Sequence, residues 1–476
     1  MSRVLLVVAV LVSLSLAGCV ADPAGEEVAA ASTPADEIAG AHAVLAVIDT
    51  GINPYHVVFR DDSALAQVHP SRYLPGFPAD TPALNLTFNA SDYLEAVAAD
   101  CAVWNSVQSD TLYWIPGTRI VGAITSAVKP NSAASCAEDD LPDMILDQGS
   151  HGTMTASRAA GNGTSACPDC RIVAVQGFSS DNVVWAAKQA YIDVQTNSWG
   201  SLPPISDANE GADRANLATA VATGMPIFFS GGNGIGGFFG GVGHPEYPDP
   251  MAGAAGLIMV GGHDAGRYTP WTATMPHVVT DAMWSPAARY HSLDEVGPRV
   301  GGGTSGAAPF AAGTLARLLL DARSLIGDTT VGVGEGGALA TVAASSNGSA
   351  DATLAGPAWE DGVLSAEELR AIFFATADPR PKRDGDYDGD ACDVSEIASG
   401  SITCALYVSA PVEWGMIPDD VPAYYFVGYG QVGVRTLDAA RAVLLEGAPQ
   451  PERAQEDEFF AADAQVREAY ADVIRH

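Results

Sequence analysis

The 476 residues carry 57 acidic side chains against 23 Lys and Arg, a formal net charge of −34, and lysine occurs only at Lys129, Lys188 and Lys382. So few bases leave no patch able to neutralise phosphates, which excludes nucleic acid as a partner. With 47% hydrophobic residues, the chain can bury a large core, and its length fits two or three domains or one α/β domain with long insertions.

Arg3 precedes an apolar run over 4–16 and then Leu16-Ala17-Gly18-Cys19. A charged start, an h-region of that length and small residues before a break predict a secretory signal over 1–18, too short for a membrane span. The four residues ending in Cys19 resemble a lipobox, the site at which prokaryotic lipoproteins are acylated and cleaved. That resemblance implies that Cys19 carries a lipid, becomes the mature N-terminus and holds the chain on the outer face of the cell membrane. The alternative is an ordinary signal peptide with a coincidental cysteine. Residues 19–40, rich in Ala, Glu, Asp, Pro and Thr without periodicity, read as a flexible tether. Setting Cys19 aside leaves six of the seven cysteines, an even number that suggests disulfides in an exported chain. Proximity favours Cys101–Cys136, Cys167–Cys170 and Cys392–Cys404 among the pairings open to them. Cys167-Pro168-Asp169-Cys170 has no second CxxC and no nearby His, so it reads as a loop staple and not as half of a zinc site.

Residues 43–48 form a short apolar run ending in Asp49-Thr50-Gly51. This predicts a buried parallel strand that delivers a polar residue at its carboxyl end, where open α/β sheets place their sites. Further strands are expected over 119–124, 171–175, 194–197, 226–230 and 257–261. Helical patterns occupy 152–160, 183–190, 212–223, 308–325 and 365–375. The alternation predicts an α/β, doubly wound, mainly parallel sheet with helices on both faces and long insertions. Residues 54–143 are rich in Pro and Asn with patchy periodicity and read as a long surface insertion, with the strand 119–124 running through it. Residues 327–362 read as an irregular Gly-, Ala- and Ser-rich loop, and 447–476 as an acidic C-terminal tail.

Three segments carry the chemistry: Val47-Ile48-Asp49-Thr50-Gly51, Gly149-Ser150-His151-Gly152-Thr153 and Gly302-Gly303-Thr304-Ser305-Gly306-Ala307-Ala308-Pro309. A serine nucleophile needs a base within reach of its hydroxyl and a buried acid to orient that base. Each segment offers one such group beside glycines. Ser305 precedes the helical pattern 308–325 and is therefore expected at that helix's N-terminus, where free N–H groups favour a developing anion. Pro309 is expected in the first turn, where a missing N–H costs nothing. D-T-G also occurs in aspartic peptidases, but no second copy is present to supply their other carboxylate.

The order Asp, His, Ser with D-T-G, H-G-T and G-T-S-x-A-A-P resembles the subtilisin-like serine peptidases, the subtilases, over roughly 41–446. The resemblance implies an endopeptidase that cleaves proteins or peptides through an acyl-enzyme. It assigns Asp49, His151 and Ser305 to the triad and makes Asn233, in Ser230-Gly231-Gly232-Asn233-Gly234, the side-chain donor of the oxyanion hole beside the Ser305 N–H. It places Ser198, Trp199 and Gly200 along the substrate groove, and residues 428–432 and 437–440 in the closing turn and helix. Two departures stand out. Met154 replaces a second histidine usual in the family, which implies altered packing and no loss of the base. The stretch from Cys19 to Asp49 is also too short for the inhibitory prodomain of many members.

The chemistry so implied requires no cofactor. Asp384, Asp386, Asp388 and Asp390 alternate as at the start of an EF-hand-like calcium loop, although the closing carboxylate, Glu396, is one position out of register. A structural calcium loop is one reading and a solvated acidic turn the other. Two further readings compete with a general endopeptidase: a surface scaffold lipoprotein that keeps the fold without turnover, and a narrow processing peptidase whose 54–143 segment restricts access.

Overall fold

The computed structural model describes residues 42–130, 132–200, 207–233, 257–264, 267–268, 277–281, 286–298, 303–326, 331–332, 341–343, 363–364, 366–378, 431–446 and 448. In chain order the principal strands are β1 (Val44–Asp49), β2 (Ile120–Thr125), β3 (Arg171–Gln176), β4 (Val194–Asn197), β5 (Ile227–Ser230), β6 (Ile258–Asp264), β7 (Arg267–Tyr268) and β8 (Val278–Asp281). They form one sheet in the order β2-β3-β1-β4-β5-β6, with β8 parallel and β7 antiparallel to β6. The helices are α1 (Tyr93–Ala99), α2 (Cys101–Ser106), α3 (Gly152–Ala160), α4 (Ser180–Ala187), α5 (Asp207–Val221), α6 (Gly303–Ile326), α7 (Ala366–Ala375) and α8 (Val434–Glu446).

The parallel strands are apolar on both faces because helices cover both. In β1, Leu45 and Val47 join the core shared with α3, α6, α7 and α8. Val44, Ala46 and Ile48 join the opposite core, with Val183 and Ala186 of α4 and Leu217 and Ala220 of α5. The strict alternation along one six-residue strand is the sheet period of two. The expected doubly wound α/β fold with helices on both faces is therefore present.

Two expectations need correction. Residues 54–143 are not a surface segment: β2 forms an edge of the sheet beside β3, and Phe59, Leu84, Tyr93, Trp104 and Ile115 are fully buried. Their burial follows tertiary contacts with no regular period, so patterning could not reveal it. Tyr55 donates to Asp100 at 2.8 Å and receives the Trp104 indole N–H at 2.8 Å, satisfying polar groups inside this core. Burial pushes the Tyr55 phenol above its ordinary range. The second correction concerns α6, which begins at Gly303 and not at 308, so Pro309 lies inside the helix, past its first turn. The opening Gly-Thr-Ser-Gly carries no apolar period to announce a helix.

Cys101–Cys136 and Cys167–Cys170 are both disulfide-bonded. Cys392 and Cys404 lie outside the described residues, as do the segments 1–40 and 449–476 and the cluster Asp384, Asp386, Asp388 and Asp390.

Candidate active site

Three neighbouring parallel strands, β1, β4 and β5, end side by side, with Ile48 opposite Asn197 and Asn197 opposite Phe229. Their carboxyl ends deliver Asp49, Ser198 and, three residues past β5, Asn233 to one edge of the sheet. The helices α3 and α6 start at the same edge and bring His151 and Ser305.

Asp49 is 1% exposed. Its Oδ1 receives the Thr50 N–H at 2.7 Å and lies 2.7 Å from His151 Nδ1. A carboxylate only accepts, so Nδ1 carries the hydrogen shared with Asp49. Oδ2 of Asp49 receives the Thr155 hydroxyl at 3.1 Å. His151 caps α3, its side chain 30% exposed beside the buried acid. The loop before it is fastened by a second buried carboxylate, Asp147. Asp147 accepts from the Thr50 hydroxyl at 2.8 Å, from the Gly149 N–H at 3.0 Å and from the Thr153 N–H at 2.8 Å. Thr50 Oγ1 in turn receives the Gly152 N–H at 2.8 Å. The approach is so close that a Cβ on Gly152 would sit 2.0 Å from the Gly51 carbonyl, which explains a glycine immediately after His151.

Ser305 lies in the first turn of α6. Pro309, four residues on, has no N–H to offer the Ser305 carbonyl. The Ser198 hydroxyl fills that place at 2.9 Å, and the Ser305 hydroxyl donates to the Ser198 carbonyl at 3.3 Å. The serine is thereby tied to the end of β4. Asn233 is held by Thr304: its Oδ1 accepts from the Thr304 N–H at 2.9 Å and the Thr304 hydroxyl at 2.8 Å. A backbone N–H only donates, so the oxygen is the bound end of the amide. Gly303, at φ +52°, allows this contact, since a Cβ there would meet the Asn233 amide at 2.7 Å.

Trp199 packs edge-on against Phe229, with ring centroids 5.5 Å apart, and lies 5.8 Å from Phe178, which is 52% exposed. Gly200, the next residue along the chain, is exposed. Met154 is buried in α3, turned away from solvent. The structure thus brings Asp49 to His151, Ser198 to Ser305 and Asn233 to the residue preceding Ser305. Sequence reasoning missed Thr50, Asp147, Thr155 and Thr304. Their only signal was a polar residue within a few positions of each motif, and loops carry such residues everywhere.

Comparison with known proteins fits this arrangement. The chain matches the Subtilase family over residues 40–332, more than half its length. No curated protein matches it. Among solved structures, the prenylagaramide maturation protease PagA shares 12% identity, covering 85% of this chain and 95% of that one at a TM-score of 0.39. The epidermin leader peptide processing serine protease EpiP from Staphylococcus aureus shares 11%, with coverages of 87% and 77% and a TM-score of 0.43. A lanthipeptide protease shares 14%, with 85% and 90% covered and a TM-score of 0.42. At these scores their substrates say nothing about the present one. The family match over the segments that carry Asp49, His151 and Ser305 is decisive, and the chain belongs to the subtilase family as a subtilisin-like serine endopeptidase.

Proposed function

We propose that this peptidase works through an Asp49–His151–Ser305 triad, with Asn233 and the Ser305 N–H as its oxyanion hole. Ser305 attacks the peptide carbonyl while His151 Nε2 takes its proton. His151 then returns that proton to the leaving amine, and water releases the acyl group by the same steps in reverse order. Asp49 stabilises the imidazolium formed in between. Ser198, Trp199 and Gly200 line the groove for the peptide. The 2.7 Å contact between buried Asp49 and His151 Nδ1 is the observation that carries this reading, because it ties the imidazole through Nδ1 to a buried acid and assigns proton transfer to Nε2. No cofactor enters these steps. If the 384–390 cluster takes calcium, the ion is structural.

The N-terminal residues extend the proposal: 1–18 are a signal, Cys19 is lipidated, 19–40 tether the peptidase region 41–446 outside the membrane, and 447–476 form an acidic tail. Among the described residues no helix is long and apolar enough to cross a membrane. The test uses the full chain with a fluorophosphonate probe. The parent should label and Ser305→Ala should not. Labelling of both would disprove the nucleophile, and silence from a folded parent would move the chain to the scaffold reading. In the same cells, Cys19→Ala should shift the protein from the membrane fraction to the soluble one; an unchanged distribution removes the anchor.

A further inference from the structure

Thr155 lies one turn beyond His151 on α3, so both side chains project from the same side of the helix. It is fully buried, and its hydroxyl has two acceptors: Asp49 Oδ2 at 3.1 Å and the Gly152 carbonyl at 2.9 Å. One proton serves one of them best. The Gly152 carbonyl, in the first turn of the helix, already has the amide four residues on as a partner. Asp49 Oδ2 is a charged oxygen shut away from water, and a hydroxyl donating to a buried carboxylate makes a stronger bond than one donating to a carbonyl. The other carboxylate oxygen is already taken by His151 and the Thr50 N–H.

We infer that Thr155 is a positioning residue for catalysis: its hydroxyl anchors the far oxygen of Asp49, fixing the carboxylate plane against the imidazole. The inference rests on the proposed triad. With the hydroxyl gone, the Thr50 N–H still holds Oδ1, but Oδ2 has lost its donor and carries more of the charge. His151 would then bind its proton more tightly and be less rigidly oriented. Asp147, the neighbouring buried carboxylate, takes its hydrogen bonds from Thr50, Gly149 and Thr153, and not from Thr155.

The test is the near-isosteric Thr155→Val, with Thr155→Ser as the conservative control, in the full chain. Thr155→Val should lower kcat by about tenfold, the loss of one hydrogen bond to a charged group, with KM within about twofold. The acid limb of its kcat/KM–pH profile should move to higher pH. Thr155→Ser should recover both. A Thr155→Val profile superimposable on the parent's overturns the inference. So does lost activity with an unmoved acid limb that serine fails to recover, since that is a packing effect. Should the valine variant not fold, Thr155→Cys keeps the size with a weaker donor and should move the limb in the same direction by less; no movement again overturns it. Fluorophosphonate labelling of the parent, abolished by Ser305→Ala, separates the two levels. If the parent does not label, the triad itself fails. If it labels normally and the 155 series is flat, only the role of Thr155 fails.

Discussion

Hydrogen bonds to two buried carboxylates set the geometry of the candidate site at the scale of single residues. Asp49 faces the imidazole, and Asp147 holds the loop that carries it, through three donors from Thr50, Gly149 and Thr153. Asp147→Asn keeps the size but turns an amide NH2 toward an N–H or O–H donor. It should lower thermal stability by about 2–3 kcal/mol and reduce kcat more than KM, as measured by calorimetry and steady-state kinetics. An unchanged kcat would mean that the loop keeps its place without the charge. Of these residues, Asp49, His151 and Ser305 were legible because each sits in a motif with glycines. Asp147 was not, because an acid in a loop is common and the contact that ties it to the strand end comes from Thr50, far away in the chain.

At the scale of elements, the site depends on how strand ends and helix starts are joined. Pro309 frees the Ser305 carbonyl for Ser198, coupling α6 to the end of β4. The expectation that Pro309 sat harmlessly in a first turn missed this, because the helix begins earlier than its apolar pattern. Beside β1, the 54–143 segment packs its aromatic residues into the core, and Cys101–Cys136 closes a loop across a sequence separation of 35. A loop of that length shortens the unfolded ensemble by an entropy worth about 2–4 kcal/mol. The double variant Cys101→Ala/Cys136→Ala should lose stability by that order in urea denaturation, with a smaller change in kcat because neither cysteine touches the site. A loss well under 1 kcal/mol would mean that the aromatic core alone holds this segment.

For the whole molecule, acid stability follows from histidines kept neutral inside the fold. Burial lowers His56, whose Nδ1 accepts the Val58 N–H, and drives His277, which accepts the Met259 N–H, down to about 3. Both folded values lie below the unfolded 6.5, so the unfolded chain binds more protons in acid. Their contribution is complete above about pH 6.5 and is lost progressively as pH falls toward the folded values, with a slope of up to about 1.4 kcal/mol per pH unit for each. Melting temperatures from pH 8 to pH 5 should fall, and His277→Gln should flatten that fall; an equal slope in the variant would assign it to other groups. The chain's order of apolar runs and helical periods was enough for the doubly wound sheet, because burying two faces of a parallel sheet writes itself into local composition. The motifs were enough for the family and its candidate residues, since close backbone approach demands glycine at set positions. The grip of Asp147, Thr155, Thr304 and Ser198 on those residues, and the burial of the 54–143 aromatics, came only with folding. Each is a contact between positions distant in the chain or an orientation of a side chain, and neither has a period that a linear sequence can display.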